Sequence, residues 1–155
     1  MEKIKVLIAD DHRVVREGLA AILKMKDDIH IVGEAQDGME AVEKVKSLVP
    51  DVVLMDVSMP RMGGVEATRQ IKREFPHIGI VALTMYDEQQ YIFDLVRAGA
   101  TGYLLKDSES SQIVAAIRAI YEDSESFKRY PVAPARTKSK MYCCSSYMVR
   151  ATIPM

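Results

Sequence analysis

With 155 residues, 48% hydrophobic and 28% charged, the chain has the material for one packed soluble domain and some residues to spare. No stretch approaches the roughly 18 uninterrupted apolar residues of a membrane span, and MEKIKVLIADD enters a strand-like pattern at once, so a cytoplasmic place is expected. All 22 acidic residues precede position 126; with 15 basic residues beside them, residues 1–125 carry −7, which argues against nucleic-acid binding by that part. The only cysteines, Cys143 and Cys144, are adjacent, a spacing that suits neither a disulfide framework nor a zinc site.

In chain order, five short apolar runs alternate with segments of helical spacing. KVLIAD (5–10) is followed by a face of Val15, Leu19, Ile22 and Leu23, and IHIVGEA (29–35) by Ala41, Val42, Val45, Leu48 and Val49. DVVLMD (51–56) precedes Val65, Ala67, Ile71 and Phe75; IGIVALT (78–84) precedes Tyr91, Ile92, Leu95 and Val96; TGYLLK (101–106) precedes Ile113, Ala116, Ile117 and Ile120. This alternation predicts an α/β domain over 1–125, a mainly parallel, doubly wound sheet with helices on both faces. The second helix is expected to stop at Val49, because the residue before Pro50 is pushed out of the helical region. From 126 to 155, two mid-segment prolines, a basic stretch and no sustained periodicity predict a linker or tail.

In such sheets, ligands bind at the carboxyl ends of the strands. The first run ends in Asp10 and Asp11, the third in Asp56, the fourth in Thr84 and the fifth in Lys106; the second offers only Glu34 and Gln36. Each residue has an ordinary explanation. Asp11 could cap a helix, Asp56 open a turn, Thr84 fill a strand end and Lys106 face solvent. Their joint occurrence at four strand ends points instead to a site. Clustered carboxylates repel and recruit a cation; with oxygen donors and neither His nor Cys in the pattern, Mg²⁺ is the natural candidate. A cation, a lysine and a hydroxyl together suit a phosphate dianion, and Asp56, at the centre, could accept a phosphoryl group as an acyl phosphate.

Three stretches, IADDHRVVREGLAAIL, DVVLMDVSMPRMGGVEA and VALTMYDEQQYIFDLVRAGATGYLLKDS, resemble the receiver domain of bacterial two-component response regulators of the NarL/FixJ (LuxR-type) subgroup over about residues 3–122. The resemblance implies a flavodoxin-like, five-stranded sheet of order 2-1-3-4-5, with its switch point between the strands ending in Asp10, Asp11 and Asp56. It implies that Asp56 takes a phosphoryl group from a cognate sensor histidine kinase, and that the domain is a switch with no catalysis beyond its own phosphorylation and dephosphorylation. Asp11, Asp56 and the Ser58 carbonyl would hold Mg²⁺, with Asp10 acting through a metal-bound water. Thr84 and Lys106 would move toward the phosphate, Tyr103 would turn inward, and the fourth helix, fifth strand and fifth helix would be the readout face. Homodimerisation on phosphorylation is a further expectation, as is tuning of phosphate lifetime by Ser58 and Tyr86. Transcriptional control would need a DNA-binding output domain, whose pattern residues 126–155 lack; a stand-alone receiver, working as a phosphate shuttle or protein-binding switch, is the alternative.

Two departures stand out. Lys106 is followed by Asp107 where many receivers have proline, which leaves the isomer of that peptide open, and Gly63 occupies a place where an acid is common, with local loop flexibility the expectation. A second class, the Mg²⁺-dependent aspartate phosphatases of the haloacid-dehalogenase type, needs an acid two residues after its nucleophile, where this chain has Ser58.

Overall fold

The computed structural model describes residues 2–85, 89–129, 140–145, 147–148 and 151–152. Strands β1 (Ile4–Ala9), β2 (Ile29–Ala35), β3 (Val52–Asp56), β4 (Gly79–Thr84) and β5 (Gly102–Leu105) alternate with helices α1 (Arg13–Lys24), α2 (Gly38–Leu48), α3 (Gly64–Glu74), α4 (Gln89–Ala98) and α5 (Ser110–Arg129). The five strands are parallel and lie in the order β2-β1-β3-β4-β5, as the resemblance implied.

The middle strands are apolar on both faces because both faces are covered: every residue of β3 and β4 is buried. One core joins Ile8, Leu54, Val81 and Leu104 to Leu19, Leu23, Ile113, Ile117 and Ile120 of α1 and α5; the other joins Leu7, Val53, Met55 and Ile80 to Ala41, Val45, Ala67 and Ile71 of α2 and α3. Helices α1, α2, α3 and α5 thus bury most of the face their spacing defines, at about 1.5–3 kcal/mol for each large side chain.

Leu48 and Val49, expected on the buried face of α2, are 37% and 42% exposed. The helix ends at Leu48, as the proline requires, but Val49 leaves it with φ 44° and ψ 64°, in the left-handed region rather than extended. That turn closes the helix through the Val49 N–H to the Val45 carbonyl at 2.9 Å, and it swings the side chain outward.

The fifth helix runs past the expected boundary, to Arg129, since Ser126, Phe127 and Lys128 do not break a helix and the first proline is Pro131. Beyond it, β6 (Lys140–Ser145) pairs in parallel with β5, and β7 (Tyr147–Met148) and β8 (Ala151–Thr152) pair antiparallel with β6. The expected linker or tail therefore contains short strands. The thiols of Cys143 and Cys144, the ring of Tyr91, and Tyr86 as a whole lie outside the described residues.

Candidate functional site

Parallel strands of matched register bring their ends to one rim, so Asp10 and Asp11 just after β1, Asp56 and Thr84 closing β3 and β4, and Lys106 just after β5 converge. Asp10 is fully buried, and Asp56 and Thr84 are 2% and 4% exposed. The Lys106 ammonium bridges the two carboxylates, 3.1 Å from Asp56 Oδ1 and 3.1 Å from Asp10 Oδ2. The Ser58 N–H donates to Asp56 Oδ1 at 3.2 Å, and the Lys106 N–H donates to the Thr84 carbonyl at 2.9 Å, which ties the ends of β4 and β5 together. Asp56 Oδ2 is buried without a hydrogen-bond partner, an arrangement that costs free energy unless another group is received there. His12, Asp56, Ser58, Thr84 and Lys106 are among the residues lining a cleft of about 180 Å³.

Asp11 does not cap α1: His12 is the residue before the helix, and Asp11 Oδ1 lies 3.0 Å from His12 Nδ1. Beside the expected oxygen donors the structure places one nitrogen. Asp10, Asp11, His12 and Asp56 offer three oxygens and one nitrogen within 4.8 Å of one another. Reading only the residues at strand ends passed over His12, which reaches back from the next position along the chain. The orphaned Asp56 oxygen and the hard carboxylate donors fit Mg²⁺.

Burial, and next the charge of Asp10, push the Asp56 carboxyl up to about 6 against the opposing pull of Lys106 and the Ser58 N–H. Burial alone would lower the Lys106 ammonium, but its hydrogen bonds to Asp56 and Asp10 and their charges raise it. The stabilisation carried by Lys106 is thus complete below its ordinary value of 10.5 and fades as pH climbs beyond it. Asp56 has the opposite sign. Between its ordinary 3.8 and about 6 the folded state binds more protons than the unfolded state, so this group lowers stability as pH rises through that window. In chelator-treated protein the loss is expected to be about 1–2 kcal/mol, allowing for water at the cleft mouth. Urea unfolding at about pH 4 and about pH 7 checks this: Asp56→Asn should remove that component, whereas equal pH dependence in parent and variant would show an unperturbed carboxyl.

The loop after β3 is pinned at several points, where Gly63 suggested local looseness. The Val57 N–H donates to the Leu83 carbonyl at 3.1 Å, the Gly64 N–H to the Val57 carbonyl at 2.9 Å and the Gly38 N–H to the Met62 carbonyl at 3.0 Å. Buried Asp37 caps α2 by accepting the Glu40 N–H at 2.9 Å and pairs with Arg61 at 2.6 Å, joining the loop to the neighbouring helix. Gly63 takes the cap position of α3 in extended backbone and, lacking a side chain, leaves that helix without a side-chain cap. The indispensable glycine is its neighbour: a Cβ on Gly64 would stand 2.1 Å from the Asp56 carbonyl oxygen. Sequence reading missed Asp37, Arg61 and Gly64, because none sits at a strand end.

Other expected residues stand apart. Tyr103 is half-buried on β5, packed against the cluster of Val57, Ala82, Leu95 and Ala100. Glu34 and Gln36 serve α2, the Glu34 carbonyl accepting from Lys44 and the Gln36 N–H donating to Glu40. Among the described residues no peptide is cis, so Lys106–Asp107 is trans, and no helix is long and apolar enough to cross a membrane.

A doubly wound sheet that gathers carboxylates, a lysine and a hydroxyl at its switch point has the architecture of a receiver-type signalling domain. The response regulator receiver domain family matches residues 6–118, and the chain belongs to it. The oxygen regulatory protein NreC of Staphylococcus carnosus (strain TM300) is 46% identical over 119 residues, 76% of this chain and 55% of that protein. The chain thus spans about half the length of the curated relatives it matches. The signal receiver domain of the response regulator NarL from Mycobacterium tuberculosis superposes with a TM-score of 0.76 at 35% identity, covering 79% of this chain and 98% of that one. A LuxR-family two-component response regulator from Aurantimonas sp. SI85-9A1 does so with 0.75 at 34%, covering 79% and 87%.

Proposed function

We propose that Asp56 is the phosphoacceptor of this receiver domain and that its modification switches the domain between two states. The observation that carries this is the buried, unpartnered Oδ2 of Asp56, a residue that lines the cleft beside a lysine already bonded to its other carboxylate oxygen. That oxygen attacks the phosphorus of a phosphorylated imidazole on a cognate sensor histidine kinase. The P–O bond forms as the P–N bond breaks, the donor nitrogen leaves with the electron pair, and the product is an acyl phosphate. Bound Mg²⁺, held by Asp11, Asp56 and the Ser58 carbonyl with Asp10 behind a water, would neutralise phosphoryl oxygens. Lys106 exchanges its contact with Asp56 for one to the phosphoryl group, and Thr84 donates its hydroxyl to the same group. Ser58, exposed at the cleft, adjusts how water reaches the phosphate.

Withdrawal of Thr84 toward the phosphate frees space for Tyr103 to turn inward, and the change is read on α4, β5 and α5. By likeness to the NarL- and LuxR-type regulators, the output is control of transcription through a separate DNA-binding domain, with homodimerisation on phosphorylation, in the cytoplasm. Residues 1–125 are the receiver unit in this reading, and 126–155 connect it onward.

Incubation with Mg²⁺ and acetyl phosphate is expected to give a single, base-labile phosphoryl adduct by intact mass. Asp56→Asn and chelation should each abolish it. An adduct that survives in the variant would move the acceptor elsewhere, and steady turnover of unrelated phosphate esters would favour a phosphatase.

A further inference from the structure

We infer that His12 makes the acidic cleft a mixed nitrogen–oxygen site that holds a divalent transition-metal ion, such as Zn²⁺, Co²⁺ or Mn²⁺, through Nδ1, in competition with Mg²⁺. The inference rests on the reading of the cleft as a cation site and adds a ligand and a metal class to it.

The geometry carries it first. His12 Nδ1 lies 3.0 Å from Asp11 Oδ1 and 3.2 Å from Asp10 Oδ1. Two donors at about 2.1 Å from one ion and at right angles are about 3 Å apart, so these atoms already stand at the spacing of adjacent ligands. A second observation, separate from the His12 contacts, points to a ligand in the same cleft: Asp56 Oδ2, on a residue 2% exposed, is buried without a hydrogen-bond partner.

The backbone explains why the ring is there. His12 precedes α1 with φ −92° and ψ 110° and makes no side-chain cap bond to the helix. Its N–H is fixed instead on Asp10 Oδ1 at 2.8 Å, which turns the side chain back over the two aspartates rather than onto the helix end. The side chain is 64% exposed, so an ion can approach from the cleft mouth. In the ion-free site Nδ1 stands at hydrogen-bond distance from two acceptor-only carboxylate oxygens and so carries the ring proton; with the proton on Nε2 instead, the Nδ1 lone pair is free for an ion held by the same carboxylates.

Chemistry then assigns the metal class. Imidazole adds affinity for Zn²⁺, Co²⁺ and, less strongly, Mn²⁺, whereas Mg²⁺ prefers carboxylates and water and gains little from nitrogen. His12 therefore acts on selectivity: transition-metal binding depends on it and Mg²⁺ binding does not.

The full chain titrated with Mg²⁺ or Co²⁺ alone, without phosphodonor, tests this. His12→Ala is expected to weaken Co²⁺ on the order of tenfold or more while leaving Mg²⁺ within about twofold. Pulsed EPR of bound Mn²⁺ should show nitrogen coupling in the parent that is lost in His12→Ala. Asp56→Asn should weaken both ions. If Asp56→Asn weakens both but His12→Ala weakens neither, or if the nitrogen coupling is absent, the His12 inference is overturned and the cation site stands. If Asp56→Asn weakens neither, the cleft is not the cation site and both readings fall.

Discussion

Replacing Lys106 with Met is expected to cost the chelator-treated protein about 2–4 kcal/mol at neutral pH, the largest effect of any single side chain at the site. The ammonium stands 3.1 Å from a carboxylate oxygen on each of two buried aspartates. Without it, two carboxylates of the same sign face each other, and Asp56 keeps only the Ser58 N–H. The cost lies below the upper end for a broken buried pair, because Asp56 can take up a proton. Two signatures follow in denaturant unfolding. The deficit should shrink toward about pH 4, where one carboxyl is neutral, and millimolar Mg²⁺ should recover part of it by supplying positive charge to the same oxygens. A deficit insensitive to both pH and Mg²⁺ would mean that Lys106 acts by packing alone. The variant is also expected to lose the conformational response to phosphorylation while keeping some acceptance of phosphate, since Asp56, the proposed acceptor, is untouched.

Gly64→Ala is expected to be nearly as damaging, at about 2–3 kcal/mol, and for a different reason. The added carbon would lie 2.1 Å from the Asp56 carbonyl oxygen and 2.9 Å from the Asp56 carbonyl carbon and the Val57 Cα. All three are backbone atoms that cannot rotate away, so the start of α3 or the end of β3 must move. Because the displaced peptide belongs to Asp56, Mg²⁺ affinity should drop along with stability. Gly63→Ala is the control: its Cβ meets only the Val57 carbonyl oxygen, at 3.5 Å, and the change is expected to stay within about 0.5 kcal/mol. Thermal melts and Mg²⁺ titration of both variants check this. Equal effects at 63 and 64 would show that general loop stiffening, and not the close approach to Asp56, decides the outcome.

The sheet was legible because its inner strands are buried on both faces, so DVVLMD and IGIVALT announce themselves without any periodicity to decode. Helix faces were legible as directions but not as extents. Leu48 and Val49 continue the apolar spacing of α2 and are nonetheless exposed, because a left-handed turn at Val49 ends the helix beside them. The site divides along the same line. Asp10, Asp56, Thr84 and Lys106 could be found because a parallel sheet brings strand ends together whatever the loops do. His12, Asp37, Arg61 and Gly64 depend on the path of the connections, on which ring folds back and which carbonyl comes close. Strand spacing carries no information about either. The tail shows the limit of reading composition alone: a basic, proline-containing stretch without periodicity still adds a strand at Lys140–Ser145 beside β5.

The cleft draws on residues 10, 56, 84 and 106, so nearly a hundred residues separate its first member from its last. Every contact across it is long-range, and closing it requires all four strands to be in register. No fragment of the fold can assemble it early. A chain still emerging from synthesis, or one that has lost β5, does not complete this cleft. With Asp56 as the proposed phosphoacceptor, modification would be confined to finished molecules, and the pool able to carry a signal would be the pool that has completed folding.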